Sequence, residues 1–141
     1  MDPHLLSAYR ATCYRILLEP TPIDLRIGEA NAAFDAWLAG IGAATAVFLT
    51  AWNPRSQRLP LADNRQRQQA LLGDLQQRGH RYWPAQGLPD APDWTPEDSF
   101  VITSLPLTEA TALAESFEQN AYLWLVAGQA AQLVVTRLMP R

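Results

Sequence analysis

The sequence predicts an α+β fold: a single domain over 1–141, with helices packed on a mixed or mainly antiparallel sheet and a C-terminal β-hairpin. Three observations carry this. Helical and extended apolar patterns interleave along the chain. Two apolar runs at the C-terminal end meet at Gly128-Gln129, the arrangement of an antiparallel hairpin. The turn after the most apolar strand reads NPRSQRLPL and lacks the glycine-rich β–α connections of a doubly wound parallel fold. A length of 141 residues with 48% hydrophobic and 18% charged residues suits one domain with a true core.

The elements follow in order. Asp2-Pro3 is an N-cap with proline at the first helical position, which predicts a short helix over 3–11. Thr12 to Leu18 alternates, with Tyr14, Ile16 and Leu18 on one side, and Glu19-Pro20-Thr21-Pro22 stops that strand. A shorter strand is expected at Ile23–Ile27. Over 29–39 the residues Ala30, Ala33, Phe34, Trp37, Leu38 and Ile41 form one apolar stripe at helical spacing, and Gly40 and Gly42 end the helix. Thr45–Trp52 (TAVFLTAW) is apolar on both faces, the pattern of a strand covered on both sides, and Asn53-Pro54 ends it.

A long helix is expected from Leu61 to Arg78, stopped by Gly79, with Leu71 and Leu75 marking its buried face. Asn64 projects onto nearly the line of those leucines and Arg67 lies about 60° to one side. Polar residues therefore stand in register with the core stripe. His80–Gln86 reads as a strand, 87–96 as a proline-rich loop carrying Trp94, and Phe100–Ser104 as a strand with Glu97 at its approach. Leu107–Glu118 reads as a helix. Ala121–Ala127 and Ala131–Leu138 are the last strands, with glycine first in a two-residue type II′ turn.

The counts exclude several chemistries. All 11 basic residues are arginine, so no Schiff-base lysine and no Walker A loop exists. Cys13 is alone, which rules out an intramolecular disulfide, and it reads as a small core residue. His4 and His80 stand apart without further ligands at metal spacing, and His80 reads as a surface residue. No metal and no cofactor is expected. A net charge of −3 argues against nucleic-acid binding by bulk charge. No apolar run spans a membrane and no signal-peptide pattern opens the chain, so a cytoplasmic protein is expected.

One polar constellation remains. Thr50, Asn53 and Ser56 flank the end of the best strand, where sites are commonly built. Asn53-Pro54 also reads as a plain turn in which Asn53 caps its own backbone. Arg55, Arg58, Arg65 and Arg67 form a basic run opposed by Asp63, which suits either an anion clamp or a solvated helix face. Arg67 leans towards the core and needs a partner, for which Glu97 is the natural candidate. Gln119-Asn120 end a helix and open an apolar strand.

The run FLTAWNPRSQRLPLADNRQRQQALLGDLQQRG, then Gly87 and Trp94-x-x-Glu97-x-Ser99, then Phe117-x-Gln119-Asn120-Ala121, resembles a bacterial family known as domain of unknown function 3293. Its pattern is a strand into T-A-x-N-P-x-S, a helix bearing Asn and Arg, a Trp-to-Glu segment and a late Q-N-A. The likeness covers about residues 46–125. Pro60 departs from it, standing where a small capping residue such as Ser is expected. The resemblance implies a small bacterial domain and supplies no activity, cofactor or catalytic residue.

Three functions stay open. The first is a site for a small anionic or polar ligand lined by Thr50, Asn53, Ser56, Asn64, Arg67, Glu97 and Gln119, with Trp52 or Trp94 as an apolar wall. The second is a protein-interaction or regulatory module, with a homodimer or another protein as partner, Trp83 and Trp94 as anchors and a purely structural polar network. The third is a small hydrolase or transferase with Glu97 as general base and Arg67 and Asn53 stabilising negative charge; no nucleophile is assigned.

Overall fold

Asp2 caps the first helix through its carboxylate, which accepts from the backbone N–H of His4 at 2.9 Å and of Leu5 at 3.4 Å. That helix, α1 (Pro3–Ala11), buries none of its own residues. In the computed structural model, which describes residues 2–141, it is followed by β1 (Cys13–Ile16), β2 (Ile23–Leu25), α2 (Ala32–Gly40), β3 (Thr45–Thr50), α3 (Leu61–Arg78), β4 (Tyr82–Leu88), β5 (Glu97–Thr103), α4 (Leu107–Ser116), β6 (Ala121–Val126) and β7 (Gln132–Val135).

The strands form one sheet in the order β2-β1-β4-β5-β3-β6-β7, and every ladder is antiparallel. Among the described residues a single parallel bridge joins Ile27 to Ala131. These residues flank β2 and β7, the two edge strands, so the sheet curls until its edges touch at one corner. Gly28 N–H donates to Ala131 O at 2.9 Å and holds that seam.

Both faces are covered. On the concave face Phe34 and Leu38 of α2 pack with Ile16, Phe48, Val101 and Leu123. On the convex face Leu71 and Leu75 of α3 and Leu113 of α4 pack on Val47, Leu49 and Ile102. Alternate residues of β3 thus enter two cores, which is why TAVFLTAW is apolar throughout. Each such Leu, Val or Phe contributes about 1.5–3 kcal/mol by leaving water.

Several boundaries move from the sequence reading. The helix expected over 29–39 starts at Ala32, because Asn31 is its N-cap and accepts from Phe34 N–H at 2.8 Å. The first strand stops at Ile16, and β5 reaches back to Glu97, three residues before the expected start. The last hairpin is not a two-residue type II′ turn. Gln129 N–H donates to Val126 O at 3.0 Å, which puts Gly128 third in the turn at φ +79, the type II geometry. Pro60 does stand at the start of α3 without a side-chain cap. Cys13 is half-buried, and His80 is half-buried against Glu109 at 3.2 Å, so neither occupies the environment expected of it.

Candidate functional site

The chain leaves β3 through a strained turn. Asn53, Arg55 and Ser56 all take positive φ, at 48°, 53° and 60°. Each left-handed non-glycine residue costs of order 1 kcal/mol, so the surroundings must hold the turn in place. They do. Asn53 N–H donates to Asn64 Oδ1 at 2.8 Å, and Asn64 Nδ2 donates to Asn53 Oδ1 at 2.8 Å. Leu59 N–H also donates to Asn53 Oδ1, at 3.1 Å, and Arg55 N–H donates to Glu118 O at 2.7 Å. Asn53 therefore caps a backbone group six residues ahead and is no simple self-capping turn.

The other amide edge of Asn53 reaches the site's carboxylate: Nδ2 donates to Glu97 Oε2 at 2.6 Å. The register makes this possible. Thr50 pairs with Ser99, which brings the end of β3 beside the start of β5. Burial pushes the Glu97 carboxyl above the ordinary carboxylate range, with Asn53 and Trp94 opposing that shift.

Arg67 does not pair with Glu97. Its Nε donates to Ala51 O at 2.8 Å and its Nη2 to Phe117 O at 2.6 Å, and its nearest carboxylate is Glu118 at 3.6 Å. The rigid guanidinium fork ties the end of β3 to the end of α4. Gln119 works beside it, with Nε2 donating to Trp52 O at 3.0 Å. Ala51 N–H donates to Gln68 Oε1 at 3.0 Å. Gln68 lies one turn beyond Asn64 on the face of Leu71 and Leu75, and the periodicity that marked Asn64 would have found it.

A cleft of about 540 Å³ opens between α1 and the concave face of the sheet. Thr50, Asn53, Ser56, Glu97 and Gln119 line it; Asn64 and Arg67 do not. Asn64 instead lines a smaller cavity of about 140 Å³ behind the turn. Trp52, Asn53 and Trp94 stand between the two spaces and line both. Trp94 is covered from one side by Arg58, whose guanidinium carbon lies 4.1 Å from the ring centre.

The sequence reading missed the roof of this cleft. Tyr9 of α1 meets Ser56 Oγ at 3.3 Å, and Tyr14 OH donates to Tyr9 O at 2.9 Å. Burial raises the Tyr9 hydroxyl pKa, with the Ser56 bond opposing and the Glu97 charge adding to the shift. Asn120 Nδ2 donates to Ser56 Oγ at 3.0 Å and fixes the hydroxyl from below. Nothing in a nine-residue helix far upstream signals that it covers this turn. Buried Trp52 Nε1, Gln68 Nε2 and Asn120 Oδ1 have no partner among the described residues.

Among the described residues no group of three or more His, Cys, Asp or Glu is placed to hold a metal ion. No helix among them is long and apolar enough to cross a membrane. A family model described as protein of unknown function (DUF3293) matches residues 49–122, a little over half of the chain. The match takes in the strained turn, α3, Glu97 and Gln119 and leaves α1 outside. No curated protein and no solved structure matches the chain.

Proposed function

The chain belongs to the DUF3293 family, whose description carries no activity, and from that premise we propose that it is a small-molecule-binding domain whose site is the cleft between α1 and the curled sheet. One observation carries the reading: a largely buried carboxyl, Glu97, stands in a cleft of about 540 Å³ whose other walls are mainly apolar. Cavities of this size with few polar groups are the usual form of small-ligand sites. The strained turn supports it, since left-handed residues held against their preference concentrate at binding sites.

The ligand differs from the anion that the arginine run suggested. Arg67 is committed to two backbone carbonyls, and no arginine lines the cleft. The same fact weakens a hydrolase or transferase with Glu97 as base, because the cation meant to stabilise developing negative charge is elsewhere. A protein-interaction module anchored on Trp83 and Trp94 is not favoured either. Trp83 packs edge-on against Trp37 at 5.0 Å and Trp94 lies against Arg58. The free Cys13 fits a reducing, cytoplasmic setting, and the family resemblance fits a bacterial source.

The test is to fill the cleft. A Cβ at Gly87 meets only Thr12 Cγ2, at 4.0 Å, and Gly87 lines the cleft from β4. Gly87→Leu is therefore a steric plug without backbone strain. A fragment screen by ligand-observed NMR should return compounds with apolar bodies that compete for one site and are lost in Gly87→Leu. No binders, or binders indifferent to the plug, would overturn the proposal.

A further inference from the structure

Among the described residues Glu97 enters no ion pair. The other carboxyl and imidazole groups lining the cleft, Asp90 and His4, are exposed at its rim. The largely buried Glu97 carboxyl meets only neutral donors, Asn53 and Trp94, and a carboxylate so placed lacks the pairing that would offset its desolvation. The walls add a second signal of the same sign. Tyr9, Tyr14, Phe48, Trp52 and Trp94 all line the cleft. Aromatic faces carry negative potential and attract cations, Trp and Tyr most strongly. Glu97 within, Asp90 at the rim, five rings and no arginine make a cleft complementary to positive charge.

We propose that the cleft takes an organic amine, with its ammonium group set against Glu97 and the aromatic rings and its apolar body lying between α1 and the concave sheet. This rests on the reading of the cleft as a small-molecule site. The ammonium provides the counter-charge that no described residue gives Glu97, and its N–H groups donate to carboxylate oxygens. An anionic head meets Glu97 with like charge. A neutral head leaves Glu97 unpaired and gains only from the apolar body.

Three probes sharing one body separate these cases: 4-phenylbutylamine, 4-phenylbutan-1-ol and 4-phenylbutanoate, titrated calorimetrically into the full chain at neutral pH. The amine is expected to bind at least about tenfold more tightly than the alcohol, and the carboxylate most weakly. In Glu97→Gln the amine should fall to the level of the alcohol while the alcohol is unchanged. Ala8→Arg tests the same charge without touching the buried carboxyl. Ala8 is exposed on α1 and lines the cleft, so the added cation should weaken the amine more than the alcohol. Equal binding of amine and alcohol, tightest binding of the carboxylate, or an amine preference surviving both variants overturns the amine assignment and leaves the small-molecule site standing. Binding of none of the three, with no fragment hits lost in Gly87→Leu, overturns both.

Discussion

Asn53 and Asn64 clasp each other, backbone N–H to side-chain oxygen and side-chain amide to side-chain oxygen, both at 2.8 Å. Asn64 is only 2% exposed, so no water replaces either bond. This clasp holds Asn53 in its left-handed conformation and leaves its remaining N–H group for Glu97.

Asn64→Ala strands the buried Asn53 N–H and leaves Asn53 Oδ1 with the Leu59 N–H as its remaining donor, and a loss of about 1–3 kcal/mol is expected. Asn53→Ala should cost about 1 kcal/mol more than Asn53→Gly, since only glycine takes positive φ freely. Chemical denaturation of the three variants checks both statements. Equal losses for Ala and Gly at position 53 would show that the turn is not strained.

Arg67→Lys should fail to rescue Arg67→Ala. A lysine ammonium is a point donor and does not span Ala51 O and Phe117 O as the fork does. Both variants should lose about 1–3 kcal/mol. For a chain of this size that is a fall of roughly 3–12 °C in thermal midpoint. Ligand binding by the folded fraction should persist, because Arg67 is off the cleft wall.

The pH dependence of stability should carry the mark of Glu97. Its folded pKa is raised, so the native state holds that proton more tightly than the unfolded chain does. The resulting stabilisation is full below the unfolded value of about 4.3 and is lost as pH rises through the folded value. Glu97→Gln removes this term while keeping an oxygen for Asn53. Its stability relative to wild type should therefore grow as pH rises from about 4 and then level off. Parallel denaturation curves across that range would show that Glu97 titrates as a surface group.

Helix α1 should open long before the rest of the fold. It buries none of its residues and is held by a few bonds, among them Tyr9 to Ser56 and Asp2 N–H to Pro140 O at 2.9 Å. Leu71 and Leu75 of α3 are fully buried. Amides of α1 should exchange with solvent at least about a hundredfold faster than those in the middle of α3. Equal protection would mean that the roof of the cleft is part of the cooperative core.

Residues whose reading depends only on near neighbours were legible in the sequence. The apolar spacing of Leu71 and Leu75 and the stop at Gly79 place α3 from Leu61 to Arg78, as observed. The unbroken apolar run of β3 announces a strand with a core on each face. Asn64 in line with those leucines announces a buried polar group, and the resemblance joined it to Asn53 and Glu97 as one pattern.

Partner choice was not legible, because it is set across the sheet by residues far apart in the chain. Arg67 and Glu97 look like a pair by charge, yet register places Glu97 under Asn53, 44 residues away, and α3 aims Arg67 at a carbonyl 50 residues on. Tyr9 reaches Ser56 across 47 residues for the same reason. Helical and strand periodicities repeat every few residues and decide which side of an element is buried. The curl of the sheet decides what that side meets. The chain's local chemistry thus determined its elements and its candidate polar positions, while strand register and sheet curvature decided that five of those positions line one cleft and that Arg67 lines neither cavity.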